Sequence, residues 1–178
     1  MIIIMEGFDD SGKTTMARYI SQEYEIPIFR SSDQTDLLIN KEEAFKHDWR
    51  MLLDLFFQVK VDVIFDRSFI TQYVYSINLR KQSVKKEFSP NYMKRYNALF
   101  CHYCQKLAKI NHYIFLCNRE DYSNVNNEYN KKHRLYIKSS FISFHTEYDD
   151  VLNIEMINFE NGFSKNKIKV KKILDEKI

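Results

Sequence analysis

The sequence predicts an α/β protein: a parallel five-stranded sheet sandwiched between two layers of helices. Three observations predict it. Short apolar runs alternate with stretches of helical periodicity along the whole chain, a pattern that implies parallel strands joined by helical crossovers. The first run, residues 1–5, is continuously apolar, which marks a strand buried on both faces. The length of 178 residues, with 44% hydrophobic and 29% charged, suffices for one globular domain spanning 1–178 with its own core. With only 3 glycines and 2 prolines the chain is neither fibrous nor linker-rich, and each glycine demands a reason.

The elements follow in order. After the strand at 1–5, residues 6–12 are polar with two glycines and read as a turn. Residues 13–24 read as a helix with Met16, Ala17, Tyr19 and Ile20 inward, and 26–29 as a second strand. A loop over 31–36 leads to a helix at about 40–59, where Phe45, Trp49, Leu52, Leu53 and Phe56 keep helical spacing. Residues 61–65 form a third strand, 67–80 suit a helix, and KQSVKKEFS is a basic loop. Ser89-Pro90 is a helix start, a capping residue followed by proline at the first helical position. The apolar period then runs through Tyr92, Tyr96, Phe100 and Leu107 to about Lys109. A strand at 113–117, a polar segment at 118–127, a helix at 128–148, a strand at 152–157 and a lysine-rich helix at 164–177 complete the chain.

Charge and cysteine usage narrow the context. The formal net charge of +3 is too small to imply nucleic acid as a partner. The start, MIIIMEGF, lacks a basic region and a long apolar stretch, and no run approaches the roughly 18 apolar residues of a membrane span. The expectation is a cytoplasmic protein with reduced thiols at Cys101, Cys104 and Cys117. Cys101 and Cys104 form a CxxC in mid-helix with no second ligand pair at zinc-site spacing, so core packing is the better reading.

Residues 7–14, GFDDSGKT, fit G-x-x-x-x-G-K-[ST], between a strand signal and a helix signal. Such a loop must curl so that successive backbone N–H groups face one phosphate, and Gly7 and Gly12 permit that approach. The following helix N-terminus adds partial positive charge. Asp10, Ser11, Gly12 and Thr15 belong to this ATP-binding loop and first turn, Lys13 reaches the β- and γ-phosphates, and Thr14 offers a hydroxyl to Mg²⁺. Acids beside a triphosphate are unfavourable, so Asp9 is expected to hold a sugar hydroxyl or a metal-bound water, more than Asp10 is. At the third strand's end, VDVIFDRS presents Asp66, suited to complete the Mg²⁺ shell, and Arg67, suited to fork onto an acceptor phosphate. A basic lid is expected over 118–134, with Arg119 first and Arg134 second as its phosphate-facing cations, and Lys131 and Lys132 behind them.

These residues resemble the thymidylate kinase-like branch of the P-loop nucleotide kinases. Its first motif is E-G-x-D-x-x-G-K-T-T, matched by Glu6, Gly7, Asp9, Gly12, Lys13, Thr14 and Thr15. Its second is D-R-Y-x-x-S-x-x-x-Y-Q, matched by Asp66, Arg67 and Tyr75, with Thr71 standing for the serine. Ser68 and Ser76 depart from it, at the tyrosine and the glutamine respectively, and Ser76 leaves thymine preference open. The chain looks like the compact versions common among bacteriophages. The resemblance implies a P-loop nucleoside triphosphate hydrolase-like fold and ATP-dependent phosphorylation of a deoxynucleoside monophosphate with Mg²⁺. It also implies a homodimer joined through its middle helices. Asp9 would hold the acceptor's 3′-hydroxyl region, Arg67 its phosphate, and Tyr75 would flank the deoxyribose; Trp49 and Arg50 fall where an acceptor-contacting helix runs.

Three other readings stay open at this stage. Asp66-Arg67-Ser68 also resembles the acidic-Arg-Ser motif of deoxynucleoside kinases, in which the acid is a base toward a 5′-hydroxyl. Lys81, Lys85 and Lys86 would suit a kinase acting on DNA or a modified base. The fourth is a nucleotide-binding module without catalysis.

Overall fold

A computed structural model of the chain describes residues 1–8, 10–30, 61–71, 73–75, 90–119 and 128–176, with backbone alone at 90–93, 95–96 and 128–134. The strands are β1 (Ile2–Gly7), β2 (Ile28–Arg30), β3 (Val63–Asp66), β4 (His112–Asn118) and β5 (Ile154–Asn158). The helices are α1 (Lys13–Tyr24), α2 (Pro90–Leu107), α3 (Glu128–Tyr148) and α4 (Phe163–Asp175). Residues 69–71 and 73–75 are also helical, and a 3₁₀ turn, Phe159–Asn161, links β5 to α4. The predicted helix at 40–59, with Trp49 and Arg50, and the basic loop after residue 80 lie outside the described residues.

The five strands run parallel in the order β2-β3-β1-β4-β5, as the alternating pattern predicts. Alternation of side chains sorts each strand between two cores. Ile2 and Ile4 of β1, Phe65 of β3, and Ile114 and Leu116 of β4 join Phe100, Ile137, Phe141 and Phe144 from α2 and α3. Ile3, Met5, Ile64, Phe115 and Cys117 face the other way, onto Met16, Ala17 and Ile20 of α1 and Val170 and Leu174 of α4. Phe100 is the hub of the first core, stacked on Tyr73 at 3.7 Å between ring centroids and edge-on to Phe69 at 5.5 Å. Cys104 belongs to that core, while Cys101 is exposed with its Sγ 3.6 Å from the Tyr148 hydroxyl.

One boundary differs in a way that matters. Residues 6 and 7 belong to β1 rather than to a turn, because the pairing continues to Glu6↔Leu116 and Gly7↔Cys117. Backbone pairing does not require the side chain to be apolar, so β1 delivers a carboxylate and a glycine to the carboxyl edge of the sheet. That edge is where ligands bind in open parallel sheets, and β1 lies at its centre, with the chain crossing to β2 and β3 on one side and later to β4 and β5 on the other. Among the described residues no helix is long and apolar enough to cross a membrane.

Candidate active site

Two glycines shape the loop after β1. Gly7 has φ +130°, and a Cβ placed there would lie 2.1 Å from the Cys117 carbonyl oxygen of β4. Gly12 has φ +86°, and a Cβ there would lie 2.5 Å from the ring of Phe159. Between them Asp10 also adopts positive φ, and Ser11 N–H donates to the Phe8 carbonyl at 3.3 Å, which closes the curl. Gly12 caps α1 without a side chain, and the first turn holds no acid. The start of the helix is therefore capped by no side chain and neutralised by no acid, which suits an anion. Thr15 and Asp10 are exposed at this mouth, and Ser11 is buried beneath it.

Lys13 is buried, and its ammonium donates to the Phe8 carbonyl and, at 3.3 Å, to Ser11 Oγ. Both acceptors belong to the loop itself, so the cation sits within the curl. Burial pulls its pKa below the usual lysine range, while Cys117, Glu6, Asp66 and Asp10 pull it back up.

Thr14 Oγ1 donates to Asp66 Oδ2 at 2.7 Å. Asp66 ends β3, is 7% exposed, and is approached at 3.5 Å by Nε of the half-exposed Arg30 at the end of β2. A hydroxyl and a carboxylate this close, beside the curled loop, are hard oxygen donors of the kind Mg²⁺ takes while keeping most of its shell for other oxygen ligands. The donor set fits the ion.

Asp66 leads into Arg67, which is half-buried with φ +75° and donates its N–H to the Met5 carbonyl at 3.0 Å. The next donors converge on Glu6, which is completely buried. Glu6 Oε1 accepts from Ser68 N at 2.8 Å and from Ser68 Oγ at 2.6 Å, and Oε2 accepts from Thr71 Oγ1. Burial raises the pKa of Glu6, and the hydrogen bonds from Ser68 and Thr71 and the charge of Arg67 oppose that rise.

The structure thus brings Gly7, Ser11, Gly12, Lys13, Thr14 and Asp66 together, with Arg67 in the adjoining turn. Thr71, expected beside the substrate, directs its hydroxyl to Glu6 instead. Tyr75 packs half-buried against the first core, and Arg119 is half-buried just past β4. Asp9, Trp49, Arg50 and the side chain of Arg134 lie outside the described residues, as do residues 120–127 of the expected lid and the side chains of Lys131 and Lys132. Sequence reasoning gave no role to Glu6, Ser68 or Arg30. An acid directly after an apolar strand run was the available signal for Glu6.

No protein-family model and no curated protein matches the chain. Solved structures match along nearly its whole length. Similarity to the deoxyadenosine kinase of M. mycoides with bound dATP has a TM-score of 0.70 at 11% identity, covering 98% of this chain and 99% of that one. The thymidylate kinase of Candida albicans gives 0.70 at 13% identity, covering 98% and 92%. The YorR protein of Bacillus subtilis, in complex with phosphorylated GDP, gives 0.59 at 23% identity, covering 99% and 96%. The chain has the fold that these structures share.

Proposed function

We propose that the chain is an ATP-dependent deoxynucleoside monophosphate kinase, transferring the γ-phosphoryl of ATP to a dNMP to give a dNDP. The observation that carries this reading is the meeting of Thr14 and Asp66, 2.7 Å apart, at the mouth of a loop curled by two positive-φ glycines around a buried lysine.

Phosphoryl transfer asks a protein for alignment and for cations where charge spreads in the transition state. The loop amides and the open start of α1 hold the phosphate chain. Lys13, bonded only within the loop in the contacts above, turns its ammonium to the β- and γ-phosphates. Thr14 and Asp66 would hold Mg²⁺, which when bound neutralises charge across those phosphates. Arg67 holds the acceptor phosphate whose oxygen attacks in line. In this reading the resemblance assigns the acceptor sugar to Asp9 and Tyr75, acceptor contacts to Trp49 and Arg50, and the lid cations to Arg119 and Arg134.

Phosphorylation of a nucleoside 5′-hydroxyl is the second reading, favoured by Ser68 directly after Asp66 and Arg67 and by the likeness to a deoxyadenosine kinase. It requires an acid able to take the hydroxyl proton. Asp66 instead accepts the Thr14 hydroxyl and faces Arg30, an arrangement that suits a metal partner better than a base. Action on DNA rested on Lys81, Lys85 and Lys86, which lie outside the described residues; in α4, Lys169 pairs with Glu155, Lys171 with Glu23, and Lys167 lies over Tyr19.

An ADP-release assay with ATP and Mg²⁺ across the four dNMPs, the four deoxynucleosides and DNA tests the reading. Turnover with at least one dNMP, and none with its nucleoside, is expected. Turnover confined to nucleosides establishes the second reading, and ATP binding with no turnover on any acceptor removes both.

A further inference from the structure

An ionisable side chain with no exposure on the central strand of a parallel sheet needs an explanation, because an apolar residue would pack there without desolvating a charge. Glu6 is that side chain. Its two oxygens take up Ser68 N, Ser68 Oγ and Thr71 Oγ1, all from the segment following β3. Ser68 Oγ in turn accepts Ile70 N–H at 3.2 Å, capping the helical residues that begin at 69. Arg67 is thereby pinned on both sides to β1: its own N–H goes to the Met5 carbonyl, and the next N–H goes to the Glu6 carboxylate.

That clamp matters because Arg67 has φ +75°. For a non-glycine residue this conformation is strained and persists only where its surroundings over-determine it. The Met5 carbonyl and the Glu6 carboxylate supply the determination. We propose that Glu6 is the positioning residue of the acceptor site: it holds the 66–71 turn so that Arg67 points at the acceptor phosphate, in fixed register with the phosphate loop that starts one residue later at Gly7. The proposal rests on the kinase reading above, since it takes Arg67 as the acceptor's ligand. Glu6 touches neither substrate; it acts through Ser68, Thr71 and the backbone of Arg67. Sharing a strand with Gly7, it makes one element set both the donor loop and the acceptor arginine.

The test is steady-state kinetics on the full chain with the best dNMP, varying ATP and acceptor separately. Hydrogen exchange of the 66–71 and 13–24 segments supplies a readout independent of activity. In Glu6→Ala the acceptor kcat/KM should fall about ten- to a hundredfold, as expected for misplacement of a binding group, while the KM for ATP stays within about twofold. Exchange should accelerate in 66–71 and not in 13–24. Glu6→Gln, which keeps an oxygen for Ser68 and lets Thr71 reverse its hydrogen bond, should recover part of the loss. Should Glu6→Ala fail to fold, Ser68→Ala and Thr71→Val each remove donors from the opposite side and should raise the acceptor KM without moving that of ATP. Equal losses for ATP and acceptor, or an unchanged acceptor KM, would overturn the proposal and leave the kinase reading standing. A wild-type chain that turns over no dNMP overturns the kinase reading and the proposal with it.

Discussion

Replacing Gly7 with alanine should remove the nucleotide site and a measurable share of the stability. The new Cβ would lie 2.1 Å from the Cys117 carbonyl oxygen and 3.1 Å from both the Cys117 carbonyl carbon and Ser11 Oγ, where ordinary contact begins at 3.4 Å. The carbonyl is sheet backbone on β4, directly across from Gly7 in the register, so it has no rotamer into which to retreat. Relief requires β1 and β4 to separate at the edge where the loop begins. Overpacking costs about 1–3 kcal/mol and a side chain at φ +130° about the same again, so the sum is about 2–6 kcal/mol. At about 2–4 °C per kcal/mol for a chain of this size, Tm should drop by roughly 5–20 °C. Gly162→Ala is the internal control: its φ is +81°, but nothing lies within 4 Å of its Cβ, so it carries the backbone cost alone. Calorimetric unfolding of both variants, with ATP titrated into each by isothermal calorimetry, measures the difference. Gly7→Ala should lose ATP binding and Gly162→Ala should keep it. A Gly7→Ala protein that melts with Gly162→Ala and still binds ATP would refute the loop geometry.

Lys13→Ala should lower kcat by more than about a hundredfold, the scale for losing one preorganised charge donor, with little change in Tm; retained turnover would remove the phosphate-loop mechanism. Arg67→Ala should raise the KM of a monophosphate acceptor and leave that of a nucleoside alone, and equal effects on both would point to hydroxyl phosphorylation. His112 supplies a pH prediction. It is buried at the start of β4, its Nδ1 2.8 Å from the Ile110 carbonyl while Nε2 accepts Asn153 N–H at 3.1 Å. Burial holds its pKa below the ordinary 6.5, so the folded state favours the neutral ring. The unfolded chain takes up the proton first, so this contribution is complete above about pH 6.5 and is lost as pH falls through the lower folded value. Tm of the wild type should therefore fall more steeply between pH 7.5 and 5.5 than that of His112→Gln, and parallel curves would contradict it.

Much of the architecture was legible because the sheet is covered on both faces. Burial on both faces turns β1 into the unbroken run at 1–5 and β4 into YIFLC, and the same burial puts the Phe100, Cys104 and Leu107 stripe of α2 in view as helical spacing. Signals failed where position depends on partners far along the chain. Apolar patterning stops at Met5, yet β1 continues through Gly7, because pairing with β4 is a backbone matter and Glu6 is satisfied by groups 62 and 65 residues away. Val61 reads as strand by composition but is 53% exposed and precedes β3, which starts at Val63. The strand order is likewise a product of crossovers that no local window contains. At the candidate site, the curl after β1 was legible because its backbone conformation requires glycine at Gly7 and Gly12. Asp66 was legible as an acid closing an apolar strand. Ser68 looked like a loss of the family's tyrosine, and its role depends on a carboxylate that the local sequence does not show.

The charges at the carboxyl edge carry the functional weight of the fold. Glu6, Lys13 and Asp66 are all buried or nearly so around the central strand. Bringing each such group out of water costs several kcal/mol before any compensation. Burial pushes Lys13 down and Glu6 up, so each is driven toward its neutral form, and each is pulled back by groups in the same edge: Cys117, Glu6 and Asp66 for the lysine, and the hydrogen bonds from Ser68 and Thr71 followed by the charge of Arg67 for the glutamate. Apolar residues at these positions would pack the same three layers more cheaply, as Ile2, Ile3 and Ile4 already do lower on the same strand. Stability therefore does not account for the arrangement. A cation inside a curled loop, a carboxylate beside a helix-start hydroxyl and an acid clamping a strained arginine are what the proposed phosphoryl transfer would ask of this edge: a polyanionic ligand gripped at two points along a line.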